Sequence, residues 1–98
     1  MIIANSVGLA GHVRIEDYAI IGGMVGIAQF CRVGTLAYVG AYVKVAKDIP
    51  PFTISAGKGV EVSLKGINSI GLRRRGTHAG VIRALKSAFK ILFVSDLT

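Results

Sequence analysis

The chain has 98 residues, so it forms one domain or part of one, near the size at which a hydrophobic core is adequate but not generous. Apolar residues make up 52% of it, and 13 glycines against two prolines favour a turn-rich β architecture over a disordered chain. The net charge of +7 is unevenly divided, since residues 50–98 carry eight cations and only two acids. A phosphate-bearing or otherwise acidic partner is expected there, with a merely solvated basic face as the alternative.

A six-residue period runs from Ile3 to Pro50, over eight hexads. The second position is Ala or Gly in seven of the eight, with Glu16 as the exception. The first position is always Ile, Leu or Val, in the series Ile3, Leu9, Ile15, Ile21, Ile27, Val33, Val39 and Val45. The fifth is small or aliphatic throughout: Val7, Val13, Ala19, Val25, Cys31, Ala37, Val43 and Ile49. A period of this kind is typical of stacked repeats.

The repeat predicts short strands joined by tight corners, with three hexads closing one triangular coil and about 2.7 coils in all. The first and fifth side chains point into the prism, and Gly or Ala at the second position lets the backbone turn cheaply. The first positions then form three inward stacks: Ile3 with Ile21 and Val39, Leu9 with Ile27 and Val45, and Ile15 with Val33. Because so few coils leave an apolar end and free strand edges exposed, we expect another copy of the chain to cover the first coil end to end.

The period ends at two adjacent prolines, which remove backbone donors and fix an extended exit. We therefore predict a mainly β fold with three units. They are β-helix coils over residues 3–50, an irregular exit arm over residues 51–66, and a short α-helical segment over residues 67–98.

Two helices are predicted in the last unit. Asn68 and Ser69 cap a short helix that contains the arginine triplet and ends at Gly76. Thr77 caps a second helix over residues 78–94. That helix is amphipathic, with Val81, Ile82, Leu85, Phe89, Leu92 and Phe93 on one face and Arg83, Lys86 and Lys90 on the other. Its apolar face is expected to pack on the prism or on a second copy.

The apolar run from Tyr18 to Val43 allows another interpretation, a membrane helix. Gln29 and Arg32 interrupt it, and a membrane helix gives no reason for aliphatic residues in phase at every sixth position, so we expect no transmembrane segment. Cys31 is alone in the sequence, which excludes a disulfide framework and favours a reducing compartment such as the cytoplasm. Its inward position predicts a buried structural thiol.

Few side chains suit catalysis. His12, at an outward fourth position, is a candidate general base, and a surface histidine without a role is an equal alternative. Two histidines without clustered carboxylates argue against a metal site. Gln29 lies among apolar residues and should have a hydrogen-bond partner. The arginine triplet at 73–75 suits phosphate, but no aromatic residues interleave with it, so nucleic acid is not the expected partner.

Five segments, in this order, resemble the UDP-N-acetylglucosamine 3-O-acyltransferases of lipid A biosynthesis: LAGHV at 9–13, DYAIIGGM at 17–24, QFCRVG at 29–34, VAKDIPPF at 45–52 and GLRRRG at 71–76. The resemblance implies a left-handed parallel β-helix that forms a homotrimer with active sites between subunits. It implies transfer of a 3-hydroxyacyl group from the phosphopantetheine of acyl carrier protein to the sugar 3-hydroxyl, without a metal or a cofactor of the enzyme's own. Ala41 falls where the family sets acyl-chain length, and its small side chain implies room for a fairly long chain.

The same resemblance assigns substrate-binding residues. Gly11 and His12 match a family Gly-His pair beside the substrate, and Gln29 matches a substrate-contacting glutamine. Asn68 and Arg74 match groups near the nucleotide and its phosphates.

The sequence also departs from the family pattern. The family's catalytic histidine lies upstream of the segment that Met1 begins, a second active-site histidine is replaced by Ala28, and a glutamate is replaced by Ile70. General-base catalysis contributes about 10²–10⁴-fold, so we expect a truncated relative that is weak or inactive alone. Two alternatives stay open: an acyltransferase that uses His12 as its base, and a structural module that binds no nucleotide sugar.

Overall fold

The computed structural model describes residues 1–58 and 61–94. The first half is a coil of two-residue strands: β1 Ile2–Ile3, β2 Gly8–Leu9, β3 Arg14–Ile15, β4 Ile20–Ile21, β5 Gly26–Ile27, β6 Arg32–Val33, β7 Tyr38–Val39 and β8 Lys44–Val45. Strands three apart pair in parallel, which builds a first wall from β1, β4 and β7, a second from β2, β5 and β8, and a third from β3 and β6. The chain is therefore a left-handed parallel β-helix, as the repeat and the resemblance predicted.

The register of the walls confirms the three predicted stacks. In each wall, the first-position residues of successive coils are Cα partners: Ile3 with Ile21 and Val39, Leu9 with Ile27 and Val45, and Ile15 with Val33. Their shared period of inward side chains fixes this register, because a one-residue slip would turn every aliphatic residue outward.

The hydrophobic core lies inside the prism. From Ala19 to Ile49, every first- and fifth-position side chain is 6% exposed or less. Cys31 belongs to this core, which confirms the buried thiol. In the first coil, by contrast, Ile3 is 40% and Leu9 46% exposed, because nothing in the described part of the chain covers that end.

The corners of the prism use a left-handed backbone that the sequence analysis did not predict. The fourth residue of seven hexads has a φ between 58° and 66°: Ser6, His12, Tyr18, Met24, Phe30, Leu36 and Tyr42. Non-glycine residues seldom adopt this conformation. Backbone hydrogen bonds between coils hold it, such as the Phe30 N–H donating to the Gly11 carbonyl at 3.1 Å. Each fourth side chain is thereby directed away from the core.

The exit arm predicted over residues 51–66 forms a β-hairpin whose register shifts between Leu64 and Gly66. Strands β9, Thr53–Lys58, and β10, Glu61–Ile67, pair antiparallel. Strand β9 also pairs in parallel with β7, which extends the first wall by one strand.

The hairpin escaped prediction because its buried side chains are hydroxyls. Thr53 and Ser55 are 2% and 0% exposed, at positions where the coils place aliphatic residues. The Thr53 hydroxyl donates to the Pro50 carbonyl at 2.7 Å, so its burial leaves no polar atom unsatisfied. A strand with polar residues on its buried face carries no hydrophobic alternation to recognise.

Two helices follow, α1 over Ser69–Arg74 and α2 over Ala79–Phe89, and a π-helical turn, Lys90–Val94, continues α2. Asn68 is the N-cap of α1, as predicted. The last residues of the predicted helical segment, 95–98, lie outside the described residues.

The N-cap of α2 is His78 rather than the predicted Thr77. The Nδ1 atom of His78 accepts a hydrogen bond from the Gly80 N–H at 3.0 Å. An imidazole nitrogen thus replaces the hydroxyl that usually satisfies the first free N–H groups of a helix.

The helices pack on the prism, as predicted for the apolar face of α2. Leu72 and Ile82 are buried together against Leu36 at a corner of the prism. On α2, Val81 is nevertheless 50% exposed, so only part of the predicted apolar face is covered. Among the described residues, no helix has the length and hydropathy needed to cross a membrane.

Candidate functional site

The candidate site residues are divided among three corners of the prism. We name the corners by their residues with left-handed backbone: the first corner holds Ser6, Met24 and Tyr42, the second His12 and Phe30, and the third Tyr18, Leu36 and Phe52. Gly11, His12 and Gln29 lie together at the second corner, Asn68 and Arg74 lie beside the third, and Ala41 lies at the first. A single copy of the chain therefore does not bring the predicted residues into one site.

The second corner presents an exposed imidazole on an aromatic platform. The rings of His12 and Phe30 stack with centroids 4.9 Å apart and an interplanar angle of 5°. Phe30 is 67% exposed, and Gln29 beside it is exposed too, so its amide is not buried within one copy of the chain. The corner can therefore contact a ligand or another protein surface through an imidazole, an amide and an aromatic ring.

The third corner borders a cleft of about 220 Å³ between the prism and α1. Its walls come from the first strand, the turn at Tyr18 and the helix: Met1, Ile2, Tyr18, Ala19, Ile20, Leu36, Asn68, Gly71, Arg74 and Arg75. Two guanidinium groups and one phenol ring stand beside apolar side chains here. This combination suits a ligand that has an anionic part and a flat or apolar part.

Asn68 joins α1 to the corner. Its Nδ2 donates to the Leu36 carbonyl at 2.9 Å, and its Oδ1 accepts from the Gly71 N–H at 3.1 Å. The residue is 8% exposed. Asn68, predicted to bind substrate, thus holds the helix and the wall of the cleft in place.

The two arginines of the cleft differ in their contacts. Arg75 lies over the Tyr18 ring, with its Cζ atom 3.8 Å from the ring centroid, a cation–π geometry. Arg74 and the neighbouring Arg73 are exposed. The stacked guanidinium keeps its edge donors available, and a guanidinium fork matches phosphate oxygens in pairs.

The first corner is apolar and exposed. Met24 is 55% and Tyr42 69% exposed, one coil apart, and Ala41 is exposed next to Tyr42. Large exposed apolar side chains in a sparsely populated backbone conformation favour an interface over a free surface.

Sequence reasoning missed two site neighbours: Phe30 and Tyr18. Both carry a recognisable signal, since a bulky residue at the fourth hexad position points outward at a corner. Arg75 was already part of the predicted arginine triplet, but its contact with Tyr18 was not predicted, because the two residues lie far apart in the sequence. Among the described residues, no group of three His, Cys, Asp or Glu side chains could hold a metal ion.

Comparison with known proteins agrees with this architecture. Residues 48–98 match the family model of UDP N-acetylglucosamine O-acyltransferase, domain 2, which is more than half of the chain. The chain belongs to this acyltransferase family.

Individual members of the acyltransferase family match over nearly the whole chain. The acyl-[acyl-carrier-protein]–UDP-N-acetylglucosamine O-acyltransferase of Burkholderia ambifaria is 51% identical over 98 residues, which cover 100% of this chain and 37% of that protein. The enzyme of the same name from Nautilia profundicola is 49% identical over 94 residues, covering 96% of this chain and 36% of that protein. The solved UDP-N-acetylglucosamine acyltransferase of Francisella novicida superposes with a TM-score of 0.91 at 41% identity, over 98% of this chain and 35% of that chain. The chain thus spans little more than a third of the length of the acyltransferases it matches.

Proposed function

We propose that this chain is the part of a UDP-N-acetylglucosamine O-acyltransferase that binds the nucleotide sugar. The observation that carries the proposal is the cleft beside the third corner, where Arg74 and Arg75 accompany the Tyr18 ring. Paired guanidinium groups suit a diphosphate, and an aromatic ring suits the flat base or the apolar face of the sugar. The relatives are named for acyl carrier protein and UDP-N-acetylglucosamine. The second of these has the diphosphate, the base and the sugar that the cleft side chains suit.

Catalysis by the chain alone is expected to be weak or absent. In the proposed reaction the sugar 3-hydroxyl attacks the thioester carbonyl of the carrier-bound acyl group, a base accepts the hydroxyl proton, and the phosphopantetheine thiol leaves. Among the described residues, His78 is engaged as a helix cap and His12 stacks on Phe30 without a carboxylate to orient its ring. An effective base is held in place by such a third group. The scheme needs no metal or cofactor besides the carrier's phosphopantetheine, and a cytoplasmic location fits it.

A complete site is proposed to form between copies in a homotrimer. The predicted substrate residues occupy separate corners, so the second corner of one copy must meet the third corner of another to join them. The exposed Phe30 at the second corner and Tyr18 at the third support such a contact, and the exposed Ile3 and Leu9 support a further end-to-end contact. Light scattering at micromolar concentration tests the assembly, and a monomer would contradict it.

A calorimetric titration with UDP-N-acetylglucosamine tests the binding proposal. We expect saturable binding that Arg74→Gln weakens about tenfold or more, because a charge-assisted hydrogen bond contributes about 1.5–3 kcal/mol. Arg83→Gln is the matched control, since it removes an equally exposed arginine from α2 and should leave the affinity unchanged. Absence of binding at millimolar ligand would refute the proposal and favour a structural module.

An acyl-transfer assay decides between binding and catalysis. Wild type and His12→Ala are expected to give the same background rate with a 3-hydroxyacyl-carrier donor. A wild-type rate well above background that falls in His12→Ala would establish His12 as the base instead.

A further inference from the structure

The second wall of the prism ends at a strand edge that no described strand pairs with, whereas the first wall continues from its third coil into the hairpin. In the first wall the Gly40 N–H of the third coil donates to the Ser55 carbonyl of β9 at 2.9 Å. The third wall stops within the third coil, where the Gly34 N–H of the second coil donates to the Ile49 carbonyl at 2.9 Å. The second wall stops at β8, which pairs only with β5 among the described strands. The second wall therefore lacks the further strand that β9 adds to the first.

The free edge carries two backbone donors in strand register. One coil earlier, the N–H groups of Gly26 and Ala28 donate to carbonyls of the next coil at 3.0 and 2.8 Å. The equivalent groups one coil later belong to Lys44 and Ala46, and neither meets an acceptor within residues 1–58 and 61–94. Unpaired N–H groups two residues apart are the pattern onto which an additional strand pairs.

A groove of about 370 Å³ lies along this edge. One side is formed by residues 44–50, and the other by Val62 and Leu64 of β10. Its floor is apolar, because Val45 and Ile49 reach it from the core and the two hairpin side chains are half-buried. The volume lies in the range of small ligand pockets, but the groove is bounded by strand backbone on one side.

The rim of the groove has an excess of positive charge. Lys44 and Lys47 are exposed there. The one carboxylate of the lining, that of Asp48, already accepts a hydrogen bond from the Arg32 N–H at 2.8 Å. The rim therefore favours an acidic occupant.

We propose that this groove accepts an extended peptide with alternating apolar and acidic side chains, which adds a strand to the second wall. Its carbonyls accept hydrogen bonds from the Lys44 and Ala46 N–H groups, its apolar side chains fill the floor, and its acidic side chains meet Lys44 and Lys47. Peptide recognition by strand addition works in this way, with affinity from the main chain and specificity from alternate side chains. The groove shares no residue with the nucleotide-sugar cleft, so this site is independent of the proposed function.

Amide hydrogen exchange measured by NMR tests the proposal, with the blocked hexapeptide Glu-Val-Glu-Val-Glu-Val as the probe. At a peptide concentration ten times Kd, the amides of Lys44 and Ala46 are expected to exchange about tenfold more slowly. These amides exchange only in the peptide-free protein, which is then about one tenth of the total. The amides of Gly26 and Ala28 are internal controls, since they are already bonded and should not change. Unchanged exchange at both edge amides, at any peptide concentration, would overturn the proposal.

Paired lysine variants test whether peptide binding depends on the positive charges at the rim of the groove. Lys44→Gln with Lys47→Gln should raise Kd about fivefold, since two exposed ion pairs are lost. Lys86→Gln with Lys90→Gln removes the same charge from α2 and the π-helical turn after it, and should leave Kd unchanged. Equal effects of the two pairs, or equal binding of Lys-Val-Lys-Val-Lys-Val, would overturn the acidic specificity. Protection by octanoate alone would assign the groove to an acyl anion instead. Protection that rises with protein concentration, without peptide, would assign it to a second copy.

Discussion

Replacing Asn68 by Ala should destabilise the fold more than any change at the exposed cleft residues. The substitution removes the N-cap of α1, worth about 1 kcal/mol, and leaves the buried Leu36 carbonyl without its donor, worth about 1–3 kcal/mol. Together these losses amount to about 2–4 kcal/mol. For a domain of this size that lowers the melting temperature by about 10 °C or more.

Thermal unfolding followed by circular dichroism, at one fixed protein concentration, measures this loss. Asn68→Asp keeps the acceptor for the Gly71 N–H but not the donor to Leu36, so an intermediate loss is expected. Ser69→Ala is the control, because its hydroxyl contact with the Ile67 carbonyl is long, 3.4 Å, and should contribute little. The reasoning fails if Asn68→Ala unfolds within about 1 °C of wild type, which would make Asn68 a ligand-binding residue without a structural role.

The remaining predictions concern packing and acyl specificity. Gly34→Ala should destabilise the fold by about 1–3 kcal/mol in urea unfolding, because the new Cβ would lie 2.6 Å from the Pro51 Cα. Gly26→Ala is the control and should be neutral, since no atom lies within 4 Å of its Cβ position. Equal effects of the two substitutions would contradict the steric argument. Leu72→Ala should cost about 2–5 kcal/mol in the same assay, because the side chain is 2% exposed between helix and prism, and a neutral result would show that α1 is not docked. If an assembled enzyme is obtained, Ala41→Met should shift its preference towards shorter acyl donors in a competition assay, and an unchanged preference would remove Ala41 from the acyl site.

The coils could be predicted from the sequence because the same two positions of every hexad point into the prism. Every inward position takes an aliphatic or small residue, so phase alone gives the walls, the stacks and the buried Cys31. The left-handed corners could not be predicted in the same way. They accept Ser6, His12 and Tyr42 alike, because outward side chains at a corner are not selected by packing.

The hairpin and the site depended on contacts that no local pattern encodes. Thr53 and Ser55 are buried because hydroxyls satisfy their own hydrogen bonds, which reverses the hydrophobic pattern of a strand. Asn68 was correctly predicted as a helix cap, but its second bond reaches Leu36, 32 residues earlier in the chain. The family resemblance named residues from three corners without showing that one chain keeps them apart.

The central claim, a nucleotide-sugar site completed between copies, is tested most directly by mixing two binding-deficient variants. One carries His12→Ala and Gln29→Ala at the second corner, and the other carries Arg74→Gln beside the third. After the two are refolded together in equal amounts, titration with UDP-N-acetylglucosamine should recover about one quarter of the wild-type sites, because each interface draws its two corners from independently chosen copies. No recovery in the mixture, with full binding by the wild type, would contradict a shared site and place the binding residues within a single chain.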